Sequence, residues 1–152
     1  GLAKDRKKFE LARELGADVI VNVEKEDLYE RVAELTGGRM ADVVIEASGA
    51  TSGIQIAPTL LRPLGRLMLA GVTGMREIPF ITDWIINKEL TVVGGLGQSN
   101  DVEAAVGIIN SGRFPIEKMI THVFPLDKAA DGMQYFMEGH EDCIKCALDC
   151  NI

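Results

Sequence analysis

The chain has 152 residues, 47% of them hydrophobic and 26% charged, with a formal net charge of −7 and a pI near 4.8. That length allows one domain with a real core, and the acidic balance argues against nucleic acid or an anionic membrane as the main partner, since both need a basic face. No apolar run reaches the ~18 residues that span a bilayer, and the three cysteines, Cys143, Cys146 and Cys150, suit a reducing cytoplasm.

The sequence opens GLAKDR, without an initiator Met. Asp5 is placed to cap a helix with the stripe Phe9, Ala12 and Leu15, and Gly16 suits its C′ position. DVIV (18–21) reads as a short strand. DLYERVAELTGG (27–38) reads as a helix stopped by glycine, and ADVVIEASGA (41–50) as a strand running into small residues. TSGIQIAPTLL (51–61) has a helical pattern that Pro58 should kink or restart. GRLMLAGV (65–72) is a strand, TDWIINK (82–88) a short helix and ELTVVGG (89–95) a strand. Ser99 or Asn100 is placed to cap the next helix, with Glu103 completing a capping box on Asn100, and Ser111-Gly112 stops it. MITHVFPL (119–126) is strand-like. DKAADGMQYFMEG (127–139) is a helix with Asp127 as N-cap and Gly139 as C′, and CIKCALD (143–149) is a closing strand.

The earlier strands are near-continuous apolar runs, which calls for cover on both faces. Strand–helix alternation of this kind means a parallel sheet with right-handed crossovers, the doubly wound α/β class. The last third breaks that cadence, as a segment leaving the main sheet would.

In open parallel sheets ligands lie outside the carboxyl ends of the strands. Here those ends run into Ala47-Ser48-Gly49, Gly71-Val72-Thr73-Gly74 and Gly94-Gly95-Leu96-Gly97-Gln98. Glycine ends many strands in ordinary turns, but three successive strands ending so at one edge point to a cleft. A dinucleotide phosphate loop reads G-x-G-x-x-G. The nearest string is Gly95-Leu96-Gly97-Gln98-Ser99-Asn100, where Asn100 stands at the third glycine, so a true fingerprint does not occur. Glu46 ends a strand, and a capping or positioning role is favoured over a ribose contact. CIKC (143–146) has metal-ligand spacing, yet no second cysteine pair or histidine cluster in the sequence completes a zinc site. In a strand, residues three apart point to opposite faces. His122 reads as structural.

The ordered series KFELARELGADVIVN (8–22), AELTGGRMADVVIEASGA (33–50), LLRPLGRLMLAGVTG (60–74), INKELTVVGGLG (86–97) and ITHVFPLDKAADGMQYFMEG (120–139) resembles the C-terminal half of the medium-chain, zinc-dependent alcohol and polyol dehydrogenases, the group of sorbitol and threonine dehydrogenases. The resemblance implies an incomplete doubly wound (Rossmann) sheet lacking its first strand–helix–strand unit. Residues 1–117 would be part of a dinucleotide-binding domain, and 118–152 a segment that packs on a catalytic domain. GLAKDR would be the turn after the family's second strand. The glycine-rich loop and the zinc-bearing catalytic domain would precede Gly1, so no catalytic or metal residue is expected on this chain, and it would be inactive alone. The full-length parent would transfer a hydride between a secondary alcohol or polyol and NAD or NADP.

The cofactor contacts the resemblance implies are Ala3, Lys4 and Arg6 in the first turn, Ala47, Ser48 and Gly49 on the adenosine ribose side, and Val72, Thr73, Gly95, Leu96 and Gly97 along the nicotinamide. Lys4, Arg6 and Lys8, in place of the acid found there in NAD-preferring members, would suit a 2′-phosphate. EIPF (77–80) corresponds to an edge strand that pairs across a dimer, implying a homo-oligomer. A zinc-free quinone or enoyl reductase relative stays open, as does a non-catalytic nucleotide-binding or dimerisation module. In the order 3-2-1-4-5-6 the absent strands sit in the middle, so 18–21 should lose its neighbours. Met40 and Leu64 stand where members often carry a turn glycine, and a positive φ there would be strained.

Overall fold

The computed structural model describes residues 1–2, 5–96 and 101–151. Helix α1 (Arg6–Glu14) opens the chain. Asp5 precedes it but does not cap its N–H groups. Its carboxylate accepts from the Leu2 N–H at 2.8 Å and the Lys8 ammonium at 3.0 Å instead. Gly16 follows at φ 102°, a conformation glycine adopts without strain. Residues 18–21 do not form the expected strand. The Gly1 amino group donates to Val21 O at 3.0 Å and the Val23 N–H to Gly1 O at 3.1 Å, but no ladder includes this stretch. Apolar character makes a strand only where a neighbour takes up its N–H and C=O groups.

The stretch Asp27–Asp101 forms one unit, and Gly1–Glu26 with Val102–Ile152 another. In the first, Asp27 caps α2 (Leu28–Leu35), accepting from the Glu30 N–H at 2.9 Å. Strand β1 (Ala41–Glu46) leads to α3 (Thr51–Ile56), and Pro58 restarts the helix as a 3-10 turn, Ala57–Leu60. Strand β2 (Leu61–Leu69), α4 (Asp83–Lys88) and β3 (Thr91–Gly94) follow. β2 starts at Leu61 rather than Gly65 because residues 62–65 bulge out, Ala41 facing Leu61 while Val43 faces Arg66. Asp42 pins this bulge. It accepts from both terminal nitrogens of Arg39 at 2.8 and 2.9 Å and from Arg62 Nε at 2.6 Å, and these guanidiniums hold its carboxyl far below the usual carboxylate range.

The sheet order is β1-β2-β3, all parallel. The register places Val44, Leu67, Leu69 and Val92 on one face. There they pack with Ala57, Leu61, Ile85 and Leu90 into the core. The opposite face carries Val43, Ile45 and Val93, which are exposed. The expected cover on both faces is therefore present on one face only among the described residues. Lys88 closes the core end of this unit. Its ammonium donates to Pro58 O at 3.2 Å, Thr59 O at 2.9 Å and Leu61 O at 2.7 Å, and lies 5.1 Å from the centre of the Trp84 ring. Burial lowers its pKa. Residues 77–80 form no strand, and the Gln55 side chain donates to Pro79 O at 3.1 Å.

In the second unit, α5 (Asp101–Asn110) ends before Gly112 at φ 61°. Its expected caps, Ser99 and Asn100, lie outside the described residues. Strand β4 (Ile120–Pro125) runs parallel to β5 (Lys145–Asp149), with α6 (Ala129–Glu138) between them in the chain. Asp127 falls in a 3-10 turn, Leu126–Lys128, so α6 begins after Lys128 without that side-chain cap. Gly139 ends it at φ 68°. Among the described residues no helix is long and apolar enough to cross a membrane.

Met40 and Leu64 do adopt the left-handed region, at φ 68° and 60°. They differ in burial: Met40 is 8% exposed and Leu64 66%. A left-handed leucine costs about 1–2 kcal/mol, part of which glycine gives back through its freer unfolded chain. Leu64→Gly is expected to raise stability by about 0.5 kcal/mol, because little burial is lost. Met40→Gly should lower it by about 1 kcal/mol, the lost burial outweighing the relieved strain. Urea denaturation of both variants checks the pair.

Candidate cofactor-binding site

Because β1, β2 and β3 are parallel, their carboxyl ends share one edge. Ala47-Ser48-Gly49, Gly71-Val72-Thr73 and Gly95-Leu96 leave it. The backbone stitches the three ends together. The Ala70 and Gly71 N–H groups donate to Glu46 O at 2.8 and 2.9 Å, and the Gly95 N–H donates to Leu69 O at 3.1 Å.

The Glu46 side chain builds the first turn. It is 6% exposed, a carboxylate at the end of an apolar strand. Its Oε1 accepts from the Ser48 N–H at 2.8 Å and from the Ser48 hydroxyl, and both its oxygens accept from the Gly49 N–H at 3.1 Å. Ser48 Oγ accepts in turn from the Ala50 N–H at 3.1 Å, at the start of α3. Burial pushes the Glu46 pKa up, but the bonds from Ser48 and Gly49 outweigh it and leave it below the ordinary glutamate value. Glu46 is thus a positioning residue, as the sequence reading favoured.

Glycine is obligatory where the turns touch. A Cβ on Gly71 would lie 2.1 Å from Gly49 N and 2.7 Å from Glu46 Oε2, and one on Gly49, itself at φ 65°, would lie 2.3 Å from Val72 O. Backbone meets backbone there, and the surface left open is main chain. Gly95 is less constrained, since a Cβ would meet only the mobile Met68 methyl. Beside this cradle Val72 and Leu96 stand exposed and Thr73 is half-buried. A nucleotide fits such an edge of free backbone groups and apolar side chains. A metal ion does not fit it: these turns contain no His or Cys.

Of the contacts expected from the sequence, Ala47, Ser48, Gly49, Val72, Thr73, Gly95 and Leu96 are brought to this edge. Arg6 belongs to the other unit, where it pairs with Glu10 at 3.1 Å, and Lys8 pairs with Asp5. Ala3, Lys4 and Gly97 lie outside the described residues. Gly71, at the strand end that the sequence points to, lies two residues beyond β2 at this same edge. The reading of CIKC as one strand is corrected. Cys143 precedes β5, a bend at Ile144 turns the chain, and the Cys143 and Cys146 sulfurs meet at 3.5 Å.

A parallel sheet whose strand ends open into glycine turns is the arrangement of a Rossmann-type α/β fold. The chain belongs to the zinc-binding dehydrogenase family, whose model matches residues 1–111. It is similar to a D-arabitol-phosphate dehydrogenase of Enterococcus avium, 34% identical over 99% of this chain and 43% of that enzyme. It is also similar to an erythritol/L-threitol dehydrogenase of Mycolicibacterium smegmatis, 37% identical over 93% of this chain and 39% of that enzyme. Among solved structures, an alcohol dehydrogenase from Escherichia coli CFT073 in complex with NADH superposes with a TM-score of 0.83, at 28% identity over 97% of this chain and 43% of that one. The chain thus spans well under half the length of the relatives it matches.

Glu46→Gln should cost about 1–3 kcal/mol at neutral pH, because the amide cannot satisfy the same donors. The folded pKa lies below the unfolded one, so the carboxylate's contribution is present above the unfolded value and fades as the pH falls through the folded one. The gap between wild type and Glu46→Gln should therefore close below about pH 4. Denaturation midpoints measured from pH 7 to pH 3 test this, and a gap independent of pH would contradict it.

Proposed function

We propose that the chain is the nicotinamide-binding part of an oxidoreductase that moves a hydride between a secondary alcohol or polyol and NAD or NADP. The observation that carries this reading is the glycine-lined edge at three parallel strand ends, in a chain of the zinc-binding dehydrogenase family. Ala47, Ser48 and Gly49 meet the adenosine ribose side of the cofactor; Val72, Thr73, Gly95, Leu96 and Gly97 flank its nicotinamide. The resemblance adds Ala3, Lys4 and Arg6 as ribose-side contacts, and basic residues at such positions would favour a 2′-phosphate. When bound, the cofactor accepts or returns the hydride. This chain's residues hold and orient it, and Val72 and Leu96 keep water from its reacting face.

The edge contains no His or Cys, and the Glu46 carboxylate is taken up by Ser48 and Gly49, so the zinc ligands of the reaction centre fall outside it and no step through zinc is assigned to these residues. Residues 1–117 belong with the dinucleotide-binding fold, and 118–152 pack on the catalytic domain. Residues 77–80 pair with their counterparts in a second protomer, where a new neighbour would supply the hydrogen bonds a strand needs. The protein works in the cytoplasm, where its thiols stay reduced.

Titration of the folded chain with NADH and NADPH, followed by cofactor fluorescence, tests the reading. Saturable binding is expected, weakened at least tenfold by Val72→Asp, which sets a carboxylate beside the cradle. Tighter binding of NADPH would support the role of Lys4 and Arg6. Cofactor affinity unchanged by Val72→Asp would overturn the assignment of this edge.

A further inference from the structure

We propose that His122, Cys143 and Cys146 form a binding site for a zinc-type divalent cation. One ligand atom from each lies within 4.8 Å of the other two. The two sulfurs are 3.5 Å apart. Two thiolates on one tetrahedral zinc, each at about 2.3 Å, stand about 3.8 Å apart, so the sulfurs need part by only a few tenths of an ångström, and the imidazole closes on them by a rotation of its side chain. Thiolate and imidazole donors select zinc over magnesium or calcium, which take oxygen. With three protein ligands the fourth position falls to water.

The site is built before any ion arrives. Parallel pairing sets His122 opposite Cys146, next to an irregularity between Ile120 and His122. Thr121 sits in that irregularity. Its hydroxyl accepts from the Ile144 N–H at 3.0 Å and donates to Lys145 O at 3.3 Å, and the Cys143 N–H donates to His140 O at 3.0 Å. These bonds fix the Cys-x-x-Cys bend against β4. The imidazole is held as well. Its Nδ1 lies 3.0 Å from Thr121 Oγ1 and its Nε2 lies 3.6 Å from Asp142 Oδ2, while Tyr135 packs on the ring at 4.7 Å and donates to Asp142 Oδ1 at 3.0 Å. Whichever nitrogen ligates, the other keeps a polar neighbour that orients the ring, as bound histidines require. Cys146 also lines a groove of about 390 Å³ between α6 and β5, together with Met133, Phe136 and Leu148.

The proposal stands apart from the cofactor reading, and its test uses no activity. The full chain, reduced and stripped of metal, is titrated with cobalt(II). One ion per chain is expected, with thiolate charge-transfer absorption and the visible bands of tetrahedral cobalt, displaced by zinc. Cys143→Ser and Cys146→Ser should abolish these bands, His122→Asn should weaken binding at least tenfold, and Cys150→Ser should change nothing. A second measurement needs no variant. Zinc should protect Cys143 and Cys146 from alkylation, read by peptide mass spectrometry, and leave exposed Cys150 reactive. Absent bands, bands that survive loss of either ligand cysteine, or protection that does not distinguish Cys150 would each overturn the site.

Discussion

The Asp27–Asp101 unit turns on one residue used twice. The main-chain carbonyl of Glu46 accepts from Ala70 and Gly71, which ties the end of β1 to the end of β2. Its carboxylate accepts from Ser48 and Gly49, which bends the chain as it leaves β1. The two together drive the Gly49 and Gly71 backbones into contact closer than any Cβ would allow. A buried carboxylate is costly unless its lone pairs are occupied, and here the turn itself occupies them. The same bonds that make the charge tolerable make the edge rigid, and a rigid edge of bare backbone can hold a nucleotide with little ordering cost on binding.

The rest of the unit shows why such polar locks matter. Three parallel strands bury one face, on Ala57, Leu61, Leu67 and Leu90, and leave Val43, Ile45 and Val93 to solvent. Hydrophobic gain scales with the apolar area removed from water, so a sheet packed on one face gains less than the doubly wound sheets its strand sequences resemble. Directional contacts carry correspondingly more. Asp42 with Arg39 and Arg62 holds the bulge at the start of the sheet, and the Lys88 ammonium fills three carbonyls where the 3-10 turn enters β2. Lys88 bears a desolvation penalty in that position, and the three carbonyls and the Trp84 ring replace the lost water.

Much of this could be read from the sequence, and the parts that could not share a cause. Periodicity and punctuation located α2 and, within a few residues, the ends of β1, β2 and β3, because those signals are local. Met40 and Leu64 were recognisable as non-glycine residues in positions that demand positive φ. What escaped depended on neighbours. DVIV has strand composition, but its pairing depends on chain elsewhere. The start of β2 depended on a bulge that Asp42 and Arg62 hold across twenty positions of sequence. CIKC looked like an uninterrupted strand because nothing in those four letters announces the bend that Thr121, on β4, imposes on Ile144.

That last case separates two kinds of chemistry in one short chain. At the strand edge, the proposed cofactor cradle, the groups on offer are main-chain N–H and C=O groups exposed by glycines, and side chains matter by their smallness or by what they position. In the β4–β5 pair they are the side chains themselves, a ring and two sulfurs brought within 4.8 Å by strand register. A backbone cradle tolerates few substitutions at Gly49 and Gly71 but almost any apolar residue at Val72, since only the glycines stand in backbone contact. The side-chain cluster inverts this. His122, Cys143 and Cys146 are each irreplaceable for metal binding, while the flanking residues need only keep the register. Sequence motifs describe the second kind of site well once its fold is known, and the first kind poorly even then, because a glycine after a strand is common and only its distance to the facing backbone gives it meaning.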